Sequence, residues 1–306
     1  MELIKPGINI NFIGKMRTFF FVSIALTVLS IAFLVLRGGP NLGIDFSGGT
    51  SVQIKFRQDT QIDKIREALK TINLESSIIQ QIGAKSENEY LLRIEKSTSD
   101  LHGFQGKIEE AVRAIYGKDN FEMRKVEVVG PKAGKDLRQK GILALCFALL
   151  GMLIYITWRF EFRYALGGII ALVHDVIVTV AVFTLFGREF TLTVIAALLT
   201  IVGFSINDTI VVFDRIRENI RKNPKHHLGD VINYSINQTL SRTILTSFTV
   251  FLVVVALFVF GGSVINDFAF VLLIGVVIGT YSSVFIASPL VLLWESYRPS
   301  KRIRNK

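Results

Sequence analysis

Two acids stand where acids are expensive. Asp208 lies in an apolar run from Phe190 to Phe213, and only Thr209 to Phe213 separate it from Asp214 and Arg215 at the polar edge. That stretch of helix rises about 7–8 Å, which places Asp208 in hydrocarbon rather than among headgroups. Asp175, next to His174, falls near the middle of the run Ala165–Phe186. A charge at the bilayer centre costs about 2.5–3.5 kcal/mol on insertion scales, so each acid needs a partner or a water-filled cavity. The chemistry open to such a carboxyl is proton or ion handling; the plainer alternative is a static polar cluster that locks helices together.

The neighbours of these acids narrow the choice. Arg242 opens the run Thr243–Phe260, with Thr246 and Thr249 on its face; it either meets an acid or snorkels to the interface. Thr200, Gly203, Asn207, Val211 and Asp214 follow helical spacing, with Asp208 bordering that face. This small, polar stripe is expected to point into a helix bundle. Asp175 is either a second titrating group or a hydrogen-bond partner of Asn207. In the last run Gly275, Gly279, Ser283 and Ala287 recur every four residues, a pattern that lets helix backbones approach closely.

Other motifs carry little. Gly130-Pro131-Lys132-Ala133-Gly134-Lys135 resembles a phosphate loop, but its glycine spacing is one short and Asp136 stands where a Ser or Thr would hold magnesium. Asn207-Asp208-Thr209 and Asn237-Gln238-Thr239 match a glycosylation pattern, one within the membrane and one on the cytoplasmic side, and are chance matches. His226 and His227 lack an acidic or sulfur companion and read as solvated. No catalytic residue, metal ligand set or cofactor motif is expected.

The elements that must position these residues are membrane helices. Half of the 306 residues are hydrophobic and mean hydropathy is +0.47. Apolar runs cover Thr18–Leu36, Gly141–Trp158, Ala165–Phe186, Phe190–Phe213, Thr243–Phe260 and Phe268–Trp294, each able to span about 30 Å of hydrocarbon. The net charge of +10 comes from Lys and Arg at the ends of these runs, a membrane signature and not a nucleic-acid one. The first run reads as a retained anchor, because it is long and Arg37-Gly38-Gly39-Pro40 follows it where a small-x-small cleavage site would stand. The lone Cys146 lies within an apolar run and makes no internal disulfide.

Charge sets the orientation. Lys5, Lys15, Arg17, Arg159, Arg163, Arg215, Arg217, Arg221, Lys222, Lys225, Arg298, Lys301, Arg302, Arg304 and Lys306 fall on one side, whereas the opposite hairpins hold only Arg188. Both termini are therefore expected in the cytoplasm. The segment between the first two runs has a soluble character: strands at Ser51–Phe56, Ser76–Ile82, Glu89–Glu95 and Phe121–Val129, and helices at Asp59–Ile72 and Asp100–Tyr116. The turn Lys85–Asn88 joins the middle strands. Ile62, Ile65, Leu69 and Ile72 form one apolar stripe, and Ile108, Val112 and Ile115 another. The order βαββαβ is that of a ferredoxin-like unit.

The fold class is thus an α-helical polytopic membrane protein of six transmembrane helices with a small α+β ferredoxin-like extracytoplasmic domain. Its divisions are a cytoplasmic segment 1–16, a first span 17–36, the domain 37–138, spans two to six over 139–294 with a basic cytoplasmic loop at 214–241, and a basic tail 295–306. The loop, broken at Pro224, is either an interfacial amphipathic helix against anionic lipid or a solvated connector. Gly38-Gly39-Pro40 and Gly130-Pro131 to Gly134 read as tethers of the domain.

A resemblance attaches to these residues. Gly43-Ile44-Asp45-Phe46-Ser47-Gly48-Gly49-Thr50 resembles a motif of the SecD/SecF export proteins. Ala171-Leu172-Val173-His174-Asp175, the string Gly203 to Arg215 and Asn237 to Thr243 resemble membrane motifs of the SecF branch, and the similarity spans essentially the whole chain. It implies membership of the resistance–nodulation–division superfamily and an accessory role in the bacterial Sec translocase of the inner membrane. It also implies proton-driven assistance to late export, with SecD, SecYEG, YajC and unfolded exported polypeptides as partners. Asp208 matches the family's key membrane acid and Arg242 its key arginine. Alternatives from other classes are a half-size exporter of lipid or small molecules and a non-transporting membrane scaffold.

Overall fold

The computed structural model describes residues 9–82, 88–94 and 101–297. Its elements are α1 (Met16–Leu36), α2 (Ile44–Ser47), β1 (Gly49–Phe56), α3 (Ile62–Lys70), β2 (Ile78–Ile82), β3 (Glu89–Ile94), α4 (Leu101–Tyr116) and β4 (Phe121–Val129), then α5 (Pro131–Arg159), α6 (Phe162–Leu185), α7 (Leu192–Lys222), α8 (Leu228–Phe260), α9 (Gly262–Ser282), a π-helical turn (Ser283–Ala287) and α10 (Ser288–Tyr297). They divide into two compact units, one comprising Leu42–Ile142 with Glu189–Leu192 and the other the rest of the chain.

The helical unit supplies six helices long and apolar enough to cross a membrane. α6, α7 and the last span are more than half buried, whereas α1, α5 and α8 turn most of their surface outward. Phe21, Leu36, Trp158 and Phe260 on these outer helices are exposed, as residues meant for lipid are.

The stripe Gly275, Gly279, Ser283 makes the tightest seam. A Cβ on Gly275 would lie 2.1 Å from Ile201 Cδ1, and one on Gly279 would lie 2.9 Å from Ser205 Cβ. Thr209 Oγ1 and Ser283 Oγ share a hydrogen bond of 2.8 Å. Each four-residue step along α9 thus meets one along α7, Ile201, Ser205 and Thr209. Beyond it, a Cβ on Gly167 of α6 would stand 3.0 Å from the Ala287 carbonyl.

The segment 214–241, for which an amphipathic helix and a solvated connector stood as alternatives, is mostly helix. Arg215 and Lys222 donate to Glu218 at 2.8 and 2.7 Å, extending α7 by pairs at helical spacing. The break comes at Asn223-Pro224, where proline ends the ladder. Across it, His227 Nδ1 accepts from Gly229 N at 3.3 Å to start α8. Asn219 donates to Ser235 Oγ and Gln238 Oε1, both at 2.9 Å, closing α7 and α8 into a hairpin stem. α8 also holds the N-terminal segment. Asn237 Oδ1 accepts from Ile10 N at 2.8 Å and its amide donates to Ile10 O at 2.9 Å, while Asn233 Oδ1 accepts from Phe12 N at 2.8 Å. Lys5 and the basic residues from Arg298 onward lie outside the described residues.

The second unit is a four-stranded antiparallel sheet in the order β2-β3-β1-β4. α3 and α4 cover one face, packing Ile65, Leu69, Ile108 and Val112 on Val52, Ile54 and Leu92. Ile62 and Ile115, expected in those stripes, are 37% and 42% exposed; each helix is too narrowly seated to cover its flanking position. β2 begins at Ile78 rather than Ser76, because Ser77 N donates to Leu74 O in a turn. Most of the turn expected at Lys85–Asn88, together with Glu95 and Asp100, lies outside the described residues.

The glycine-rich motif is a backbone junction. Gly48 and Gly49 take φ of 75° and 122°, which only glycine adopts freely. A Cβ on Gly48 would meet Pro131 Cα at 2.9 Å, and one on Gly134 would meet Gly48 N at 3.0 Å. Pro131 begins α5, where its missing N–H costs nothing, so Pro131–Gly134 is a helix start rather than the expected loose tether. Phe190 O accepts from Gly43 N at 2.8 Å, Asp45 Oδ2 accepts from Leu192 N at 2.9 Å, and Arg93 pairs with Glu189.

Two outcomes test this packing. Gly275→Ala should lower thermal stability by about 1–3 kcal/mol through overpacking, with part of the loss recovered in the double variant with Ile201→Ala. Tyr116, in the sheet unit, has its hydroxyl pushed up to about 12 by burial. Its folded value exceeds the usual 10, so this contribution to stability is complete below pH about 10 and is lost as pH climbs toward about 12; alkaline unfolding of wild type against Tyr116→Phe measures it.

Candidate functional site

The polar residues of the bundle gather where α6, α7, α8 and α9 meet. Asp175 on α6 has no solvent exposure. Its Oδ2 accepts from Ser205 of α7 at 2.7 Å and from Ser282 of α9 at 2.8 Å, and its Oδ1 lies 3.0 Å from His174 Nδ1. Three contacts from three elements fix this carboxyl firmly. His174 Nε2 is buried without a hydrogen-bond partner, and its ring lies 6.5 Å from that of Tyr281. The Tyr281 hydroxyl meets Ser23 Oγ at 2.8 Å and donates to Phe19 O at 3.0 Å, hooking α1 to the same cluster.

Asp208 is 2% exposed and more loosely held. Its Oδ2 accepts from Ser247 Oγ of α8 at 3.1 Å, and Ser247 in turn accepts from Thr280 Oγ1 of α9 at 2.7 Å. A carboxyl at this depth served by one neutral hydroxyl is poorly compensated when ionised. Among the described residues no ion pair within 4 Å reaches it. Arg242 is exposed on the outer face of α8 and does not bond Asp208.

The expected inward stripe therefore lies the other way. Thr200, Gly203, Asn207 and Asp214 are exposed in the single chain, while Asp208, one position on, faces inward. Asn207 does not contact Asp175, whose partners are the serines. Asp214 sits at the rim, 3.7 Å from Arg159, both side chains at least half exposed, where an ion pair contributes little. On α8 the inward hydroxyl is Ser247, one position beyond Thr246. The serines that hold both acids were not singled out in the sequence. Their signal was the four-residue spacing of Ser205 and Thr209 on α7, the same spacing as the glycine stripe opposite.

The last span deforms beside this cluster. A π-helical turn covers Ser283–Ala287, and Ser288 Oγ donates to the Ser283 carbonyl at 2.9 Å. Such turns cost helix regularity and recur at functional sites. Here it begins at Ser283, which bonds Thr209, directly after Ser282, which holds Asp175.

Comparison with known proteins places these features in a family. Residues 107–297 match the model for "Protein export membrane protein SecD/SecF, C-terminal", and residues 33–60 match the "SecD/SecF GG Motif". Protein translocase subunit SecF of Calditerrivibrio nitroreducens is 46% identical over 97% of this chain and 98% of its own length. The SecF subunit of Vibrio alginolyticus is 42% identical over 95% and 91%. Among solved structures, a Thermus SecDF described as a translocon-associated membrane protein superposes with a TM-score of 0.84 at 34% identity. That match covers 97% of this chain, which spans 40% of the longer SecDF chain. On the length of these matches and their agreement with six membrane helices, the chain belongs to the SecD/SecF family of protein-export membrane proteins, in its SecF branch.

Proposed function

We propose that this multi-pass membrane protein serves the Sec translocase as a SecF-type accessory subunit and uses proton movement through its bundle to assist late steps of export. It resides in the bacterial inner membrane with both termini cytoplasmic, the basic residues lying on the inner side. The sheet unit is an extracytoplasmic ferredoxin-like domain; strand order β2-β3-β1-β4 with α3 and α4 on one face supports that reading. The divisions 1–16, 17–36, 37–138, 139–294 and 295–306 follow, with the inner connector now a helical hairpin. SecD is the partner subunit, SecYEG the associated channel, YajC a further associated protein, and unfolded exported chains the cargo. The protein works by binding and proton transfer, without cofactor or catalytic group.

The observation that carries this reading is Asp208, buried at the junction of α7, α8 and α9 with a lone serine as donor. Arg242 and Asn207 stand outward on the same two helices, where a polar surface is costly against lipid and suits a SecD subunit. Asp208 accepts from Ser247 and, among the described residues, makes no ion pair with Arg242, an arrangement suited to the neutral acid. Loss of the proton draws the carboxylate toward the guanidinium. Attraction at about 4 Å is of order 4 kcal/mol at an effective dielectric of 20. One proton crossing about 150 mV releases roughly 3.5 kcal/mol. The terms match closely enough for one proton to drive the rearrangement. His174 and Asp175 support the site from α6, and Asp214 marks its inner rim.

Asp208→Asn should abolish the stimulation of export by an imposed proton gradient in vesicles while membrane insertion and co-purification with SecD persist. Full gradient-dependent export in that variant would rule out the role given to Asp208. Arg242→Lys keeps the charge but loses the planar fork, and partial loss is the expected result in the same assay.

A further inference from the structure

One further polar line runs along α8. On α8, Ser235, Thr239, Thr243 and Ser247 recur every four residues, and their exposures are 0%, 5%, 2% and 7%. The file begins at Asn219, whose amide donates to Ser235 Oγ at 2.9 Å, and ends at Asp208, which accepts from Ser247. These contacts fix the antiparallel register of α7 and α8. The α7 residues between them on the buried face include Val212 and Ile216, which are 1% and 0% exposed. The hydroxyls thus form one polar line along an otherwise apolar seam.

Three of the four are satisfied. Ser235 and Thr239 donate to backbone carbonyls one turn back, at 2.7 and 3.1 Å, and Ser247 bonds Asp208. Thr243 is the exception: its hydroxyl is fully buried and has no partner. An orphaned buried hydroxyl costs about 1–3 kcal/mol, and a valine of the same shape would remove that cost. Packing alone therefore gives no reason for threonine here.

We infer that this file is the path by which a proton passes between Asp208 and the basic end of the bundle, with Thr243 as its central relay. The inference rests on the proton-handling role of Asp208. Four residues of helix rise about 6 Å, too far for direct hydroxyl-to-hydroxyl transfer and close to the span of two hydrogen bonds through one water. In each transfer the Asp208 carboxyl gives its proton to Ser247 Oγ, which releases its own to a bridging water, and the water passes one to Thr243. The same exchange continues through Thr239 and Ser235 to Asn219, itself 4% exposed, and one further water-bridged step past it reaches bulk water. Each hydroxyl gains one proton and loses one, Asp208 is left as carboxylate, and the reverse order reloads it. Thr243 and Ser247 also border an apolar groove of about 500 Å³ between α8 and α9, with the Thr243 hydroxyl itself turned into the buried side.

The test is proton flux into vesicles carrying an internal pH dye, with the chain reconstituted beside its SecD partner. Thr243→Val should cut flux by about ten-fold or more while thermal stability stays level or rises; Thr243→Ser should keep the flux. Wild-type flux in Thr243→Val, with flux lost in Asp208→Asn, would overturn the file and leave the role of Asp208 standing. Wild-type flux in Asp208→Asn would remove both. Loss of flux in Thr243→Val together with reduced stability, not spared by Thr243→Ser, would make Thr243 a packing residue and overturn the relay.

Discussion

A carboxyl group buried among membrane helices must be met by donors, and the whole bundle is arranged around that requirement. Water is scarce at this depth and each unmet polar group costs several kcal/mol. The donors here are short hydroxyls, which reach only when helices stand close. Asp175 draws Ser205 from α7 and Ser282 from α9; Asp208 draws Ser247 from α8. Satisfying the two acids therefore fixes the mutual register of four helices. The glycines on α9 follow from the same need, since a side chain at Gly275 or Gly279 would push α7 beyond hydroxyl reach.

The two acids are held differently, and the difference is chemical. Asp175 meets two serines and a histidine, a set that suits a fixed charge or a fixed hydrogen bond. Asp208 has one serine, itself tied to Thr280. A group with few partners has less to lose when its protonation changes. The fixed acid braces α6 against α7 and α9, while the loosely held one sits where α7 meets α8.

Much of this was legible in the sequence. Lengths and composition specify the six helices, and alternation of apolar residues locates the strands within two residues at their ends. The cost of a buried charge singles out Asp175 and Asp208 without any structure. The facing of α7 was not legible. Helical period groups Thr200, Gly203, Asn207 and Asp214 on one face, but does not say whether that face meets its own bundle or another chain; in the single chain it lies outside. The same ambiguity hid Ser247, because hydroxyls lie on two faces of α8. For the stem at 214–241 the sequence left a helix and a solvated connector open, because polar composition does not separate them; the ion pairs of Glu218 and the amide of Asn219 keep the helix wound.

The asparagine pair on α8 bears on how such a chain is made. Asn233 and Asn237 grip the backbone at Ile10 and Phe12, partners more than 220 positions apart. While the ribosome is still producing the first four spans, the amides of that leading stretch have no mate and stay wet. They can be seated only after the fifth span has emerged, which makes the opening words of the polypeptide among the last to find their place.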